Sequence, residues 1–285
     1  MSSLLEPVPL ATGPRAAEAL TSTRVRRAQR ALSVAGAGVV WLVLVAPIGA
    51  LAAHLSAHSI AAALTAPGAL EPLVVSLESG GVTVAVLLAG GLPLGWLLAR
   101  RRLPAHRVWE TGILCTLLLP PLVIGLLLVF LVGPQTLAGH VFATVHLSAT
   151  NTLFALVVAE VYESAPYFVL GVQAAFASVD PALEQQAMSL GDPPRTAVRR
   201  VTLPLAAPGI AMALAVAWAR AMGAFGAVII VAYHPYGLPL QIWTTLQETG
   251  LASALPYALV LLVVALPLPV AAYAWSVHAR ARRLG

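Results

Sequence analysis

Six runs of more than 20 predominantly apolar residues constrain what this chain can fold into more than any other feature. The first run, residues 31–53, has no charged residue, and the second carries only Glu78 near its start. A helix needs about 20 apolar residues to cross a bilayer. Within lipid, every backbone polar group must find a partner inside its own segment. We therefore predict transmembrane helices over residues 31–53, 74–99, 111–133, 150–176, 205–232 and 251–277.

The charge content supports the same class of protein. Only 9% of the residues are charged, whereas soluble domains carry about 25%, so there are too few charges to cover a water-exposed surface. The runs also lack the strict two-residue alternation of a transmembrane β-barrel. We predict an all-α, polytopic membrane protein with membrane lipid as its surroundings.

The positions of arginine predict the orientation in the membrane. All basic residues of the chain are Arg, and they cluster before the first run, between runs two and three, between runs four and five, and after run six. Loops 54–73, 134–149 and 233–250 contain none. Because basic loops stay cytoplasmic, both termini are predicted inside. Residues 1–30 are expected to form a mobile cytoplasmic tail, 31–278 the membrane domain and 279–285 a cytoplasmic C-terminal tail.

Several chemical functions are not predicted for this chain. It contains no Lys, and a nucleotide-binding P-loop needs one to reach the phosphates. No His, Cys, Asp or Glu set has metal-ligand spacing, and no catalytic group is recognisable. The net charge of +5 is explained by topology, so no nucleic-acid partner is expected. We predict no enzyme, no metal and no cofactor in this chain.

A polar segment, residues 178–204, interrupts the apolar pattern between runs four and five. Asp180 and Pro181 are a typical helix start, since Asp caps the first turn and Pro suits the first helical position. Gly191 is a typical helix end. Asp192 then repeats the start signal for a second short helix, which is predicted to stop before Pro204.

One face of the first predicted helix is suited to a partner protein. Leu183, Ala187 and Leu190 follow one another at i, i+4 and i+7, which places them on one side of a helix. An amphipathic helix laid into a groove is a common mode of protein recognition. We predict that these three side chains face a cytoplasmic partner.

The same segment resembles the "EAA" loop of ABC importer permeases. That pattern is Glu-Ala-Ala, three residues, Gly, nine residues, an aliphatic residue, one residue and Leu-Pro. Gly191 is followed here by nine residues and then by Val201, Thr202, Leu203 and Pro204. The front departs from the pattern: Gln185, Gln186 and Ala187 occupy the Glu-Ala-Ala positions, and Glu184 stands one residue early. This departure puts in question the salt bridge of the family's Glu.

The resemblance extends over about residues 73–277. The stretches "LLLPPLVIGLLLVFLVG" and "AWARAMGAFGAVIIVAYHPYGLPLQIWTTLQETG" are similar to the molybdate, tungstate and sulfate branch of these permeases, and the second is closest to molybdate/tungstate permeases. The resemblance implies a type I ABC importer permease fold, and a homodimer in a bacterial or archaeal plasma membrane. It also implies two ATPase subunits that carry ATP and Mg, and an extracytoplasmic binding protein that delivers a tetrahedral oxyanion. The residues it assigns to ATPase coupling are Leu183, Glu184, Gln185, Gln186, Ala187, Leu190, Gly191, Arg195, Leu203 and Pro204.

Three charged residues lie inside the predicted spans. Arg220 is expected near the middle of span five, where a charge is costly unless it has a partner or a wet path. Relatives often carry Glu four residues later, at the position of Ala224. We predict that Glu163, or failing that Glu160, pairs with Arg220 across helices.

Several alternatives remain open at this stage, among them an ABC importer permease for another small solute. The two acids could face a wet pathway or another helix without meeting Arg220, or they could serve as relay groups of an ion-coupled secondary transporter. A secondary transporter predicts inverted repeats and leaves the polar loop unexplained. A membrane scaffold without transport is a further hypothesis.

Overall fold

The computed structural model describes residues 14–54, 61, 65, 68–145, 147–148 and 150–284. The described residues contain helices and no strand, so the all-α prediction is confirmed. Two compact units are present, residues 1–55 and 56–285. In the first, α1 runs over Pro14–His54, and Gln29–His54 is long and apolar enough to cross a membrane. The predicted tail is thus helical from Pro14 onwards, and its residues 1–13 lie outside the described residues.

The second unit contains the remaining helices. In chain order they are α2 Glu71–Val86, α3 Leu92–Ala99, α4 His106–Leu118, α5 Pro121–Val132, α6 Leu137–Thr144, α7 Leu153–Ala177, α8 Pro181–Ser189, α9 Pro194–Ala197, α10 Leu203–Met222, α11 Val228–Val231, α12 Leu238–Glu248, α13 Leu251–Ala265 and α14 Pro267–Leu284. Two π-turns, Leu87–Gly91 and Val198–Thr202, join α2 to α3 and α9 to α10 without ending the helix. Helix α14 continues through most of the predicted C-terminal tail, to Leu284.

Among the described residues, five helical segments are long and apolar enough to cross a membrane: Gln29–His54, Glu71–Ala99, Leu153–Ala177, Pro194–Met222 and Leu251–Ala279. Helices α4 and α5 make a sixth crossing if the pair, bent by 117°, counts as one. The expected continuous third span is wrong. Leu119 and Pro120 each precede a proline, which disfavours the α conformation, and both are extended, with ψ of 134° and 139°.

The predicted limits of span five, 205–232, are wrong at both ends. The helix does not stop before Pro204 but is continuous from Pro194 to Met222. Pro204 cannot donate to the carbonyl of Arg200, and the π-turn just before it accommodates this missing bond within a continuous helix. At the other end, residues 223–227 leave the helix before the short helix α11 begins.

Helix α7 lies at the centre of the second unit. Its Phe168 and Val172 are fully buried, and it packs closely against α10 through small residues. A Cβ added at Gly171 would come within 2.7 Å of the Ala213 Cβ. Such small-residue contacts let membrane helices approach each other, and they bring the polar groups of α7 and α10 together.

The second unit also contains broken helices. The break before α5 meets the break before α11, because a Cβ added at Gly226 would collide with Pro121. Two short helices that the sequence analysis did not predict, α6 and α12, lie in the loops assigned to the outside. Helix α12 is partly buried through Leu238, Leu240 and Thr244.

Candidate functional site

The polar loop begins and ends its first helix as predicted. The Asp180 carboxylate accepts a hydrogen bond from the backbone N–H of Ala182 at 2.8 Å, and Pro181 is the first helical residue. Gly191 has a φ of +100°, a left-handed conformation that glycine adopts without penalty. Helix α8 is therefore a short, well-defined element held between α7 and the start of span five.

Glu184 points into the protein and makes a buried ion pair that the sequence analysis missed. Its Oε1 accepts from Arg100 Nη2 at 2.5 Å, from Arg100 Nε at 3.0 Å and from the Thr202 hydroxyl at 2.6 Å. The two charged side chains are only 7% and 8% exposed. Arg100 also donates to the Val179 carbonyl at 3.1 Å. These bonds fix α8 to the end of α3 and to the π-turn before α10.

The partner-facing surface of α8 differs from the prediction. Leu190 is 90% exposed and Leu183 is also exposed, but Ala187 is only 9% exposed and packs inside the chain. The expectation that all three face a partner is therefore wrong for Ala187. Glu184 lies three residues before Ala187, so the two side chains share one face of α8, a helix of nine residues. The buried ion pair of Glu184 turns this face inward, and Ala187 turns inward with it. The i, i+4, i+7 pattern lies next to this face and does not determine the rotation of the helix.

The exposed side of α8 carries a shallow cavity of about 560 Å³. It is lined by Ala182, Gln185, Gln186, Ser189 and Leu190. Further along the loop, Leu203 and Pro204 are at least partly exposed at the start of α10. The surface thus combines apolar side chains with amides.

Glu160 does not meet Arg220. Its carboxylate is buried and accepts from the Ser79 hydroxyl at 2.7 Å and the Thr83 hydroxyl at 2.9 Å, both on α2. Because a buried carboxylate needs compensating hydrogen bonds, the two hydroxyls explain how the group is tolerated. Glu160 therefore joins α7 to α2.

Glu163 is the acid that lies beside Arg220. Its Oε2 is 3.6 Å from Arg220 Nη2, an ion-pair distance rather than a hydrogen bond. Its Oε1 accepts from the backbone N–H of Ala227 at 3.1 Å, in the break before α11. The Arg220 guanidinium also lies over the Tyr167 ring, 5.0 Å from its centroid, while its Nε is buried without a hydrogen-bond partner among the described residues.

Arg220 does not lie in mid-helix as expected. Helix α10 ends at Met222, so Arg220 occupies its last turn, where the negative end of the helix dipole favours a cation. Its side chain is 40% exposed, whereas that of Glu163 is 2% exposed. An Arg exposed on a membrane helix faces water or another protein rather than lipid. This surface of α10 is therefore distinct from the lipid-facing ones.

The helices that are long and apolar enough to cross a membrane indicate a multi-pass membrane protein. Residues 91–283 match the family described as binding-protein-dependent transport system inner membrane component, and the chain belongs to this family. This is a family of transporter permease subunits rather than of enzymes.

Curated relatives agree with the family. The chain is 39% identical over 236 residues to a probable molybdenum ABC transporter permease protein of Haloferax volcanii, a match that covers 83% of this chain and 86% of the relative. It is 31% identical over 233 residues to the molybdenum transport system permease protein ModB of Mycobacterium bovis, covering 80% and 87%.

A solved structure supports the fold. A chain of the bacterial alginate ABC transporter, crystallised with an alginate pentasaccharide-bound periplasmic protein, matches with a TM-score of 0.63. The match covers 88% of this chain and 94% of that chain at 16% identity. The expected ABC importer permease fold is confirmed.

Proposed function

We propose that this chain is the permease subunit of an ATP-driven importer for a tetrahedral oxyanion, with molybdate or tungstate as the first candidates and sulfate as the next. The observation that carries the substrate class is the 39% identity to a molybdenum permease over 83% of the chain. The chain supplies the pathway as a homodimer in the plasma membrane, and both termini lie in the cytoplasm.

Energy enters through the exposed side of α8. Leu183, Leu190 and the amides of Gln185 and Gln186 provide a mixed apolar and polar surface, which suits a groove in a separate ATPase subunit. Two such subunits bind ATP and Mg. The buried Glu184–Arg100 pair holds α8 to the membrane helices, so movement of an ATPase reaches them through this joint.

The binding protein docks on the outer loops. Three aromatic rings cluster there: the His234 ring lies 5.2 Å from the Tyr233 ring and 4.4 Å from the Tyr236 ring, centroid to centroid. The backbone N–H of His234 donates to Asn151 Oδ1 at 3.4 Å, which ties the cluster to the start of α7. Glu248 is the one charge in residues 233–250, so docking relies on polar and aromatic contacts.

The test is ATP hydrolysis by the complex of permease, ATPase and binding protein reconstituted in lipid vesicles. We expect molybdate or tungstate, bound to the binding protein, to stimulate hydrolysis more than sulfate does. Vesicles with the binding protein but no oxyanion are the matched control. Equal rates with and without every oxyanion would contradict the proposed substrate class, and failure of an ATPase to co-purify would contradict the permease assignment itself.

A further inference from the structure

A second cavity lies beside the polar loop, and apart from Arg195 its lining residues are not among those assigned to ATPase coupling. It has a volume of about 450 Å³ and is lined by Trp96, Arg102, Pro194, Arg195 and Val198. Trp96 belongs to α3 and Arg102 follows its end, whereas the other three residues begin the long helix of span five. We call it the Trp96 cavity.

The Trp96 cavity carries positive charge that this chain does not neutralise. Among the described residues, no carboxylate lies within 4.0 Å of the Arg102 or Arg195 guanidinium, whereas the nearby acids Glu184 and Asp192 are already paired with other arginines. The Arg102 guanidinium lies over the Trp96 ring, 4.5 Å from its centroid. Both guanidinium groups are exposed and can bind an anion from outside.

The Trp96 side chain that lines the cavity also carries an unused hydrogen-bond donor. The indole Nε1–H of Trp96 is buried and has no acceptor within the part of the chain that the structure describes. A buried donor without a partner is unfavourable, and an oxygen of a bound group would satisfy it. The rest of the lining, Pro194 and Val198, is apolar.

These features together select one class of ligand. Guanidinium groups bind phosphate oxygens through charge-assisted hydrogen bonds, and the apolar lining suits the glycerol and first methylenes of a lipid. The cavity lies next to two arginine clusters, which mark the cytoplasmic end of the spans. Basic pockets between membrane helices on that side bind phosphate headgroups. A free oxyanion would leave much of the volume and the apolar walls unused.

We propose that the Trp96 cavity binds the phosphate headgroup of an anionic phospholipid of the cytoplasmic leaflet. Arg102 and Arg195 hold the phosphate, and the Trp96 N–H donates to a headgroup oxygen. The bound lipid then bridges the end of α3 and the start of span five. The Glu184–Arg100 joint connects the same two elements, so the lipid composition of the membrane modulates the coupling of the ATPase.

Native mass spectrometry of the purified full chain in detergent tests this proposal. The probes are dioleoyl phosphatidylglycerol and its zwitterionic counterpart dioleoyl phosphatidylcholine. We expect phosphatidylglycerol to be retained preferentially. The Arg102→Gln/Arg195→Gln variant should bind it at least about tenfold more weakly, because each Arg near an anionic headgroup contributes to its attraction. Arg199→Gln, an exposed arginine outside the cavity, is the matched control and should bind as the parent does.

Three further measurements separate this site from its alternatives. Trp96→Phe keeps the ring but removes the donor, and we expect a smaller loss of phosphatidylglycerol than in the double variant. Millimolar inorganic phosphate should not displace the lipid, and displacement would instead assign the cavity to a free anion. Equal retention of the two lipids would overturn the proposal. So would a double variant that keeps its lipid but no longer binds the ATPase.

Because Arg195 is exposed, Arg195→Gln alone provides a variant whose folding is not at risk. Its melting temperature should match that of the parent chain while phosphatidylglycerol binding falls. Unchanged lipid binding in this folded variant would contradict the role of Arg195 in the site. The measurement needs neither transport nor ATP hydrolysis, so it stands apart from the test of the proposed function.

Discussion

Two buried carboxylates of this protein are held in opposite ways. In the polar loop, Glu184 receives three hydrogen bonds of 3.0 Å or less from Arg100 and Thr202. On α7, Glu163 lies 3.6 Å from Arg220, whose side chain is far more exposed than that of Glu163. The Arg220 Nε has no hydrogen-bond partner among the described residues. The first arrangement is a tightly hydrogen-bonded ion pair, which we call the closed joint. The second is an ion pair that can separate without breaking a strong hydrogen bond.

The helices around the two acids explain the difference. Glu184 lies where an intact helix, the π-turn and the end of α3 converge, so donors from separate elements reach one oxygen. Glu163 lies next to the break at residues 223–227, and one of its oxygens is already used by the Ala227 N–H. Rigid packing favours a tight pair, whereas a broken helix leaves room for rearrangement.

The largest effect should come from breaking the closed joint. In Glu184→Gln the Arg100 charge remains buried without a countercharge, and loss of one partner of a buried pair destabilises a protein by about 3–5 kcal/mol. Thermal unfolding of the purified chain in detergent measures this loss. The Arg100→Gln/Glu184→Gln double variant should be more stable than either single variant, because it leaves no stranded charge.

The matched control for the joint is the exposed pair of Arg200 and Asp192, which are 3.1 Å apart. Exposed pairs contribute about 0–1 kcal/mol, so Asp192→Asn should change the melting temperature little. If Glu184→Gln proved as mild as Asp192→Asn, the two pairs would be equivalent and the idea of a closed joint would fail.

The outer pair should respond less, and unequally. Arg220→Gln leaves Glu163 buried with only the Ala227 N–H as a hydrogen-bond donor. In Glu163→Gln, by contrast, the Arg220 side chain is partly exposed and stays in contact with water. We expect a loss of about 1–3 kcal/mol for Arg220→Gln and a smaller loss for Glu163→Gln. A double-mutant cycle on thermal stability should be non-additive for this pair.

The same cycle with Glu160→Gln should be additive, because Glu160 is bound by Ser79 and Thr83 rather than by Arg220. Additive losses in both cycles would show that Glu163 and Arg220 do not interact. Coupling to Glu160 in place of Glu163 would exchange the roles of the two acids.

The outward side of α8 provides a contrast to its inward side. Leu190→Arg changes a fully solvated position, so we expect stability within about 0.5 kcal/mol of the parent chain and at least about tenfold weaker association with the ATPase. Co-purification and surface binding measure the association. Ala187→Arg should instead lower the melting temperature, since it places a charged side chain at a position that is buried against the rest of the chain. An ATPase that binds Leu190→Arg normally would place the docking surface elsewhere.

A small loss of stability is expected when Glu160 loses one of its hydrogen bonds. Ser79→Ala removes one of two hydroxyl donors and leaves Thr83 in place, so the free energy of unfolding should fall by about 1 kcal/mol. Val82→Ala, at an exposed position of α2, controls for the loss of side-chain methyl groups. A loss as large as that of Glu184→Gln would mean that Glu160 depends on Ser79 alone.

Local sequence signals predicted much of this architecture and failed at identifiable points. Asp180 and Gly191 determine the limits of α8 because capping acts within a few residues. The rotation of α8 depends on Arg100, which is 84 residues away, and no local pattern contains that contact. Prolines produced opposite outcomes: at Leu119 the chain turns, but at Pro204 the π-turn keeps the helix intact. Which outcome occurs depends on the neighbouring helices.

The unbroken helix from Pro194 to Met222 has a mechanical consequence. Its 29 residues span about 43 Å at 1.5 Å per residue, with the Trp96 cavity and the Glu184 joint at one end and Arg220 at the other. A lever of this length amplifies rotation: a tilt of a few degrees about its Pro194 end displaces the far end by a few ångströms. That displacement is comparable with the separation between Arg220 and Glu163, so a small movement imposed at the Pro194 end is large enough to part the two charges.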